Sequence, residues 1–141
     1  MKNKKLIALL IAVLLIYSML CACARESLPE DAVDFTTTEY INPDDAEDGY
    51  AGVVEYNGRQ YVLYGVQSGT VKLSRIGECI GYCDGDANAR VYSLDETGDY
   101  LAEFYANGMM EQVTFLRALD TAGKEIYTPD YIDSLGFELW N

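Results

Sequence analysis

"YAGVVEYNGRQYVLYGV" runs from Tyr50 to Val66. Two runs rich in valine and tyrosine flank Asn57-Gly58. Both turn residues accept the positive φ of a type I′ turn, and Asn-Gly between β-rich runs is the strongest short-range hairpin signal. The stretch predicts antiparallel strands over 50–56 and 59–66. The second is apolar on both sides, with Tyr61 and Leu63 on one and Val62 and Tyr64 on the other. Such a strand is central, or covered on its second face. "YLAEFYANGMMEQVTFLRA", from Tyr100 to Ala118, repeats the device at Asn107-Gly108 and predicts strands 100–106 and 109–116.

Between the hairpins lie "TVKLSRIGECIGYC" and "ARVYSL", separated by the turn-rich "DGDAN". They add strands 70–75, 77–83 and 89–94. Val71 and Leu73 alternate with Lys72 and Ser74, and Val113 and Phe115 with Gln112 and Thr114, as half-buried strands require. Near the end, "YTPDYIDSLGF" predicts one short C-terminal helix, with Thr128 as N-cap, Pro129 at the first helical position and Gly136 as the stop. "FELW", 137–140, is placed as a closing strand. About seven short strands with this punctuation point to a mainly β fold, a small antiparallel barrel or sandwich.

The chain has 141 residues, room for one domain, and half of them are apolar, enough for a core. It carries 23 acidic and 10 basic residues, a formal charge of −13. That field repels nucleic acid and anionic head groups, so no nucleic-acid partner is expected. Histidine is absent, which removes the commonest general base, the commonest zinc ligand and every Ser-His or Cys-His pair.

The N-terminus sets three lysines, Lys2, Lys4 and Lys5, before an uncharged run of 19 residues from Leu6 to Ala24. This is the layout of a secretory signal, with an uncleaved signal anchor as the competing reading. Both place the rest of the chain outside the membrane. "LCAC", Leu20 to Cys23, resembles the lipobox of bacterial lipoproteins. The resemblance implies a signal peptide over 1–22, a diacylglycerol thioether on Cys23 and an N-terminal lipid in the cell membrane. Cys21 then occupies the middle of the box. Removing three lysines and no acids takes the mature charge to −16.

"ARESLPEDAVDFTTTEYINPDDAEDG", 24–49, carries nine acids, one arginine and two of the three prolines. It reads as an extended, self-repelling tether over 23–49, with 33–41 as a candidate strand docking on a single β-rich domain, 50–141.

Candidates for chemistry are few. Cys79 and Cys83 in "CIGYC" lie ~13 Å apart if 77–83 is one strand, against the ~7 Å limit of a disulfide. Two small thiols on the inner face of that strand is the favoured reading, and a bridge needs a reversal at Gly81. Asp84, Asp86 and Asn88 fall at positions 1, 3 and 5 of a calcium loop, but Ala89 stands where its glycine belongs. An ordinary acidic turn is favoured, with no metal site. The motif G-x-S-x-G and phosphate-binding Gly-rich loops are absent, so no catalytic residue and no cofactor is assigned. Glycines in "GECIGYCDG" mark bends or bulges. Tyr61, Tyr64, Tyr100 and Tyr105 are the candidate ligand-binding residues, since tyrosine suits binding faces as well as sheets.

In its lipobox and layout the chain resembles the short envelope lipoproteins of Gram-positive bacteria that lack an assigned activity. It reads as a non-catalytic binding domain for an envelope protein, a wall glycan or an extracellular ligand. One alternative is an inhibitor or immunity-type protein masking a basic partner. Another is a wall-acting hydrolase using paired carboxylates.

Overall fold

The structure, a computed structural model, describes residues 27–41, 49–70, 75–94, 97–105 and 112–141. Strands β3 (Gly49–Tyr56) and β4 (Arg59–Gln67) form the first expected hairpin. Asn57 and Gly58 have φ of 51° and 73°, and Tyr56 pairs with Arg59 across a two-residue turn. Strands β5 (Glu78–Cys83) and β6 (Asp86–Ser93) form another. There Asp84 and Gly85 take φ of 52° and 72°, and Cys83 pairs with Asp86. The expected loop over 84–88 is thus a tight Asp-Gly turn, and β6 starts three residues early.

Strands β7 (Tyr100–Tyr105) and β8 (Val113–Ala118) pair antiparallel. The expected turn at Asn107-Gly108 lies outside the described residues, as does most of the strand expected over 70–75. A two-residue turn at 107–108 would set Phe104 opposite Glu111. Phe104 instead pairs with Val113, a shift of two that leaves every side chain on its own face.

The residues 33–41 also belong to the sheet. They form β1 (Val33–Phe35) on β5 and β2 (Thr38–Ile41) on β3. The strand order is β1-β5-β6-β7-β8-β4-β3-β2, with β9 (Ile132–Ser134) also on β4. Strand β4 is central, as expected: β8 takes one edge, and β3 and then β9 share the other.

Only Thr36 and Thr37 separate β1 from β2, at opposite ends of this path. In a flat sheet the two would stand ~34 Å apart, at ~4.8 Å per strand. The three Cα steps from Phe35 to Thr38 reach about 11 Å. The sheet must therefore curl, and it does so into a half-barrel whose two ends are joined by this strap. The Phe35 ring meets Tyr56 of β3 edge-on, with centroids 6.0 Å apart. The sheet is also mixed, not purely antiparallel, because β1 runs parallel to β5. Parity requires this. Six strands from β5 to β3 alternate in direction, so the end strands run oppositely, and one strap between them must be parallel to one of the two.

The inner face gathers Phe35, Val54, Tyr61, Cys83, Val91, Leu101 and Leu116 from seven strands. The outer face is covered by the C-terminal segment, with Tyr131 and Ile132 over Tyr92, Tyr100 and Phe115, and Trp140 over Val53 and Val62. The expected C-terminal helix is not formed. Residues 132–134 pair with β4, and the described residues from 112 onward hold 3-10 turns in place of a helix, at Leu119–Thr121 and Glu138–Trp140. The second of these stands where "FELW" was placed as a strand. A nine-residue helix would return little beyond its nucleation cost. The edge of β4 left open beyond β3 instead offers backbone partners.

Two glycines admit these late arrivals. A Cβ on Gly65 would lie 2.3 Å from the Asp133 carbonyl oxygen, and one on Gly81 2.0 Å from that of Val33. Register shifts accompany both, as expected for glycine at a bulge.

Candidate functional site

The strap is clasped at the Asp84-Gly85 turn. Phe35 O accepts from the Asp84 amide at 2.9 Å, and an Asp34 carboxylate oxygen from the Gly85 amide at 2.9 Å. The Asp84 carboxylate accepts from the amide and hydroxyl of Thr37. Those hydrogen bonds hold its carboxyl below the ordinary range. Positive φ at Asp84 aims the turn at the strap, so the first of the calcium-loop residues is a clasp.

Asp86 and Asn88 lie within β6. Asp86 Oδ2 accepts from the Tyr105 hydroxyl at 2.7 Å, and Oδ1 from the Asn88 amide and side chain at 2.9 and 2.8 Å. Its carboxyl is held low first by Tyr105, then by Asn88. These acids are engaged with their neighbours, and among the described residues no three metal-ligating side chains gather.

The four candidate tyrosines separate. Tyr61 is buried on the inner face and its hydroxyl donates to Gly98 O at 2.9 Å. Tyr100 is wholly buried on the outer face, with Thr128 Oγ1 2.7 Å from its hydroxyl. Burial pushes both phenols up. Tyr64 is half-buried, edge-on to Tyr100 and Trp140 at 5.4 and 5.7 Å. Of the four, only Tyr105 is exposed, at 48% of the residue. Adjacent residues of one strand face opposite ways, so the hairpin that carries Tyr61 and Tyr64 cannot present them together. The outward apolar side chains that sequence reasoning missed include Ile41, Tyr127 and Leu135. No periodic signal marks them, because they lie on an edge or in irregular segments.

Two arginines serve the frame. Buried Arg117 donates to Thr121 Oγ1, Thr121 O and Lys124 O at 2.8–2.9 Å, between the rings of Tyr64 and Trp140. It pins the C-terminal segment to the outer face. Arg59 spans Asp99, Asp120 and Gly98 O at 2.6–3.0 Å, beside a hollow of about 480 Å³. Its donors are spent within the protein, so this hollow offers an anion little.

Cys79 and Cys83 are free thiols of one strand, but they do not share a face. Cys83 is in the inner core, while Cys79 packs toward the outer cluster. The register shift between Cys79 and Gly81 puts one extra residue into β5 and reverses its alternation there. Burial, then Glu103, Asp84 and Asp34, push the Cys83 thiol up to about 12, so it stays protonated and unreactive. Glu103, on the same inner face, is raised by burial and then by Asp84.

A further hollow follows the seam between β1, β5 and Tyr56. A part of about 250 Å³ is lined by Pro29, Asp31, Val33, Tyr56, Glu78, Cys79 and Ile80. It adjoins a second part of about 340 Å³ where Ser27 to Glu30 face Glu78 and Cys79. Three carboxylates rim an apolar floor here, which suits a cationic or mixed polar–apolar surface better than an anion. Cys23 and the apolar run 6–24 lie outside the described residues. Among those described, no helix is long and apolar enough to cross a membrane. Comparison with known proteins finds no matching family model, no similar curated protein and no similar solved structure.

Proposed function

We propose that this chain is a membrane-anchored, extracytoplasmic lipoprotein. Its β domain binds an envelope or extracellular ligand without catalysis. The observation that carries the reading is "LCAC" at 20–23, directly after three lysines and an uncharged apolar run. The Cys23 thiol takes a diacylglycerol as a thioether, and signal removal before Cys23 makes it the N-terminal residue, with palmitate-type chains as the membrane anchor. Each buried methylene contributes ~0.8 kcal/mol, and two chains hold where one is marginal. The curled sheet with strap-joined ends supports reading the domain as a small barrel, a rigid carrier for a binding face. The lack of histidine and the structural engagement of Asp84, Asp86 and Arg59 weigh toward binding over turnover.

Metabolic labelling with a fatty-acid analogue tests the anchor. Wild type and Cys21→Ser should take the label, and Cys23→Ser should not. Label retained on Cys23→Ser would refute the assignment and favour a signal anchor.

A further inference from the structure

The expected tether shortens once the strap is seen in place. Residues 27–41 lie against the domain. Ser27, Leu28 and Pro29 share a hollow with Glu78 and Cys79 of β5. The Ala32 amide donates to Pro29 O at 3.1 Å, and Val33–Phe35 pair with β5. Only Ala24, Arg25 and Glu26 intervene between Cys23 and this docked segment. Four Cα steps bridge Cys23 and Ser27, a reach of about 14 Å at most. A free spacer over 23–49 would reach roughly 90 Å when extended.

Resting on the Cys23 anchor, we propose that the domain is held at the membrane surface. The β1–β5 seam then faces the phospholipid headgroup layer. The contact is not adhesive, since Glu30, Asp31 and Glu78 rim that seam on a chain of mature charge −16. Repulsion from anionic headgroups decays over ~8 Å at physiological ionic strength, and the leash is less than twice that length. Repulsion straightens the leash and cannot lift the domain beyond it. The partner is therefore met at the membrane surface, not in the outer layers of the envelope.

The test uses the full lipidated chain in vesicles containing phosphatidylglycerol. A donor dye is placed on Glu78→Cys in a Cys79→Ser background, with an acceptor dye on the lipid headgroups. Energy transfer should be high. It should fall at least about twofold when 20 Gly/Ser residues are inserted before Ser27, since a flexible insert of that length adds ~25 Å. Low transfer that the insertion does not change would overturn the proposal, because the strap would then already be released. Fatty-acid labelling of the same preparations separates the two readings. Low transfer with the label lost in Cys23→Ser defeats this inference alone. Label retained in Cys23→Ser defeats the anchor on which it rests.

Discussion

Gly81→Ala perturbs the junction on which the strap depends. Glycine is needed there for space, since an added Cβ would lie 2.0 Å from the Val33 carbonyl oxygen and 2.8 Å from Cε2 of Phe35. An ordinary van der Waals contact is longer than either by more than half an ångström, so β1 must retreat or stay under strain. Retreat uncovers Phe35, which is 4% exposed, and burial of such a ring contributes ~2–3 kcal/mol. Staying overpacks the seam, which costs typically 1–3 kcal/mol. The loss is about 1–3 kcal/mol across the two routes. That lowers Tm by roughly 5–15 °C in a domain of this size. Thermal melts of the chain lacking residues 1–22 measure it, with Gly98→Ala as control. Gly98 has nothing within 4 Å of its added Cβ and no left-handed φ, so alanine there should leave Tm unchanged or slightly raised. A Glu-specific protease gives the second readout, because a released strap exposes Glu30 and Glu39 to cleavage. If Gly81→Ala melts with wild type and its strap stays protected, the strap does not cross β5 at this glycine.

Glu103→Gln should raise Tm at neutral pH. Burial and Asp84 favour the protonated acid in the fold, so ionised Glu103 costs stability above its raised pKa, and that cost fades as pH falls through that value. The gap between variant and wild type should therefore close below the ordinary glutamate range of ~4.3, and a gap that widens on acidification would refute the burial argument. Native alkylation should modify half-buried Cys79 before Cys83, whose thiol is buried and raised to about 12. Both should react after unfolding, and a mass two units lighter that resists alkylation would show a Cys79–Cys83 bridge in place of the continuous strand.

Local chemistry was legible wherever it decided local geometry. Asn57-Gly58 set the first hairpin because two consecutive left-handed residues leave a two-residue turn as the low-strain choice. Double-sided apolarity in "YVLY" marked β4 as central because both of its faces are covered. Asp84-Gly85 carried the same signal, but the acids that follow it resembled a calcium loop. Regular alternation through "CIGYC" sets Cys79 and Cys83 on one face, and the extra residue between Cys79 and Gly81 that parts them carries no local signal.

Tertiary structure decided what depends on partners distant in sequence. Residues 33–41 read only as a candidate docking strand inside an acidic tether, because their four apolar side chains and two acids do not say which strand they pair with. Their place in the sheet depends on a gap between β5 and β3, and that gap exists only once 50 to 118 has curled. Thr128-Pro129 and Gly136 are sound helix punctuation, yet the free edge of β4 and the missing side chain of Gly65 offered 132–134 a better backbone partner. The burial of Tyr61 and Tyr100 and the exposure of Tyr105 follow from the curl, which gives the sheet an enclosed inner face, and from the segment that covers the outer one. By itself the sequence determined the β class, the first hairpin and the lipobox-like start, because each depends on residues within a few positions of one another. The strap and the closing of the sheet depend on contacts between residues 45 to 50 positions apart, and only the folded chain brings these together.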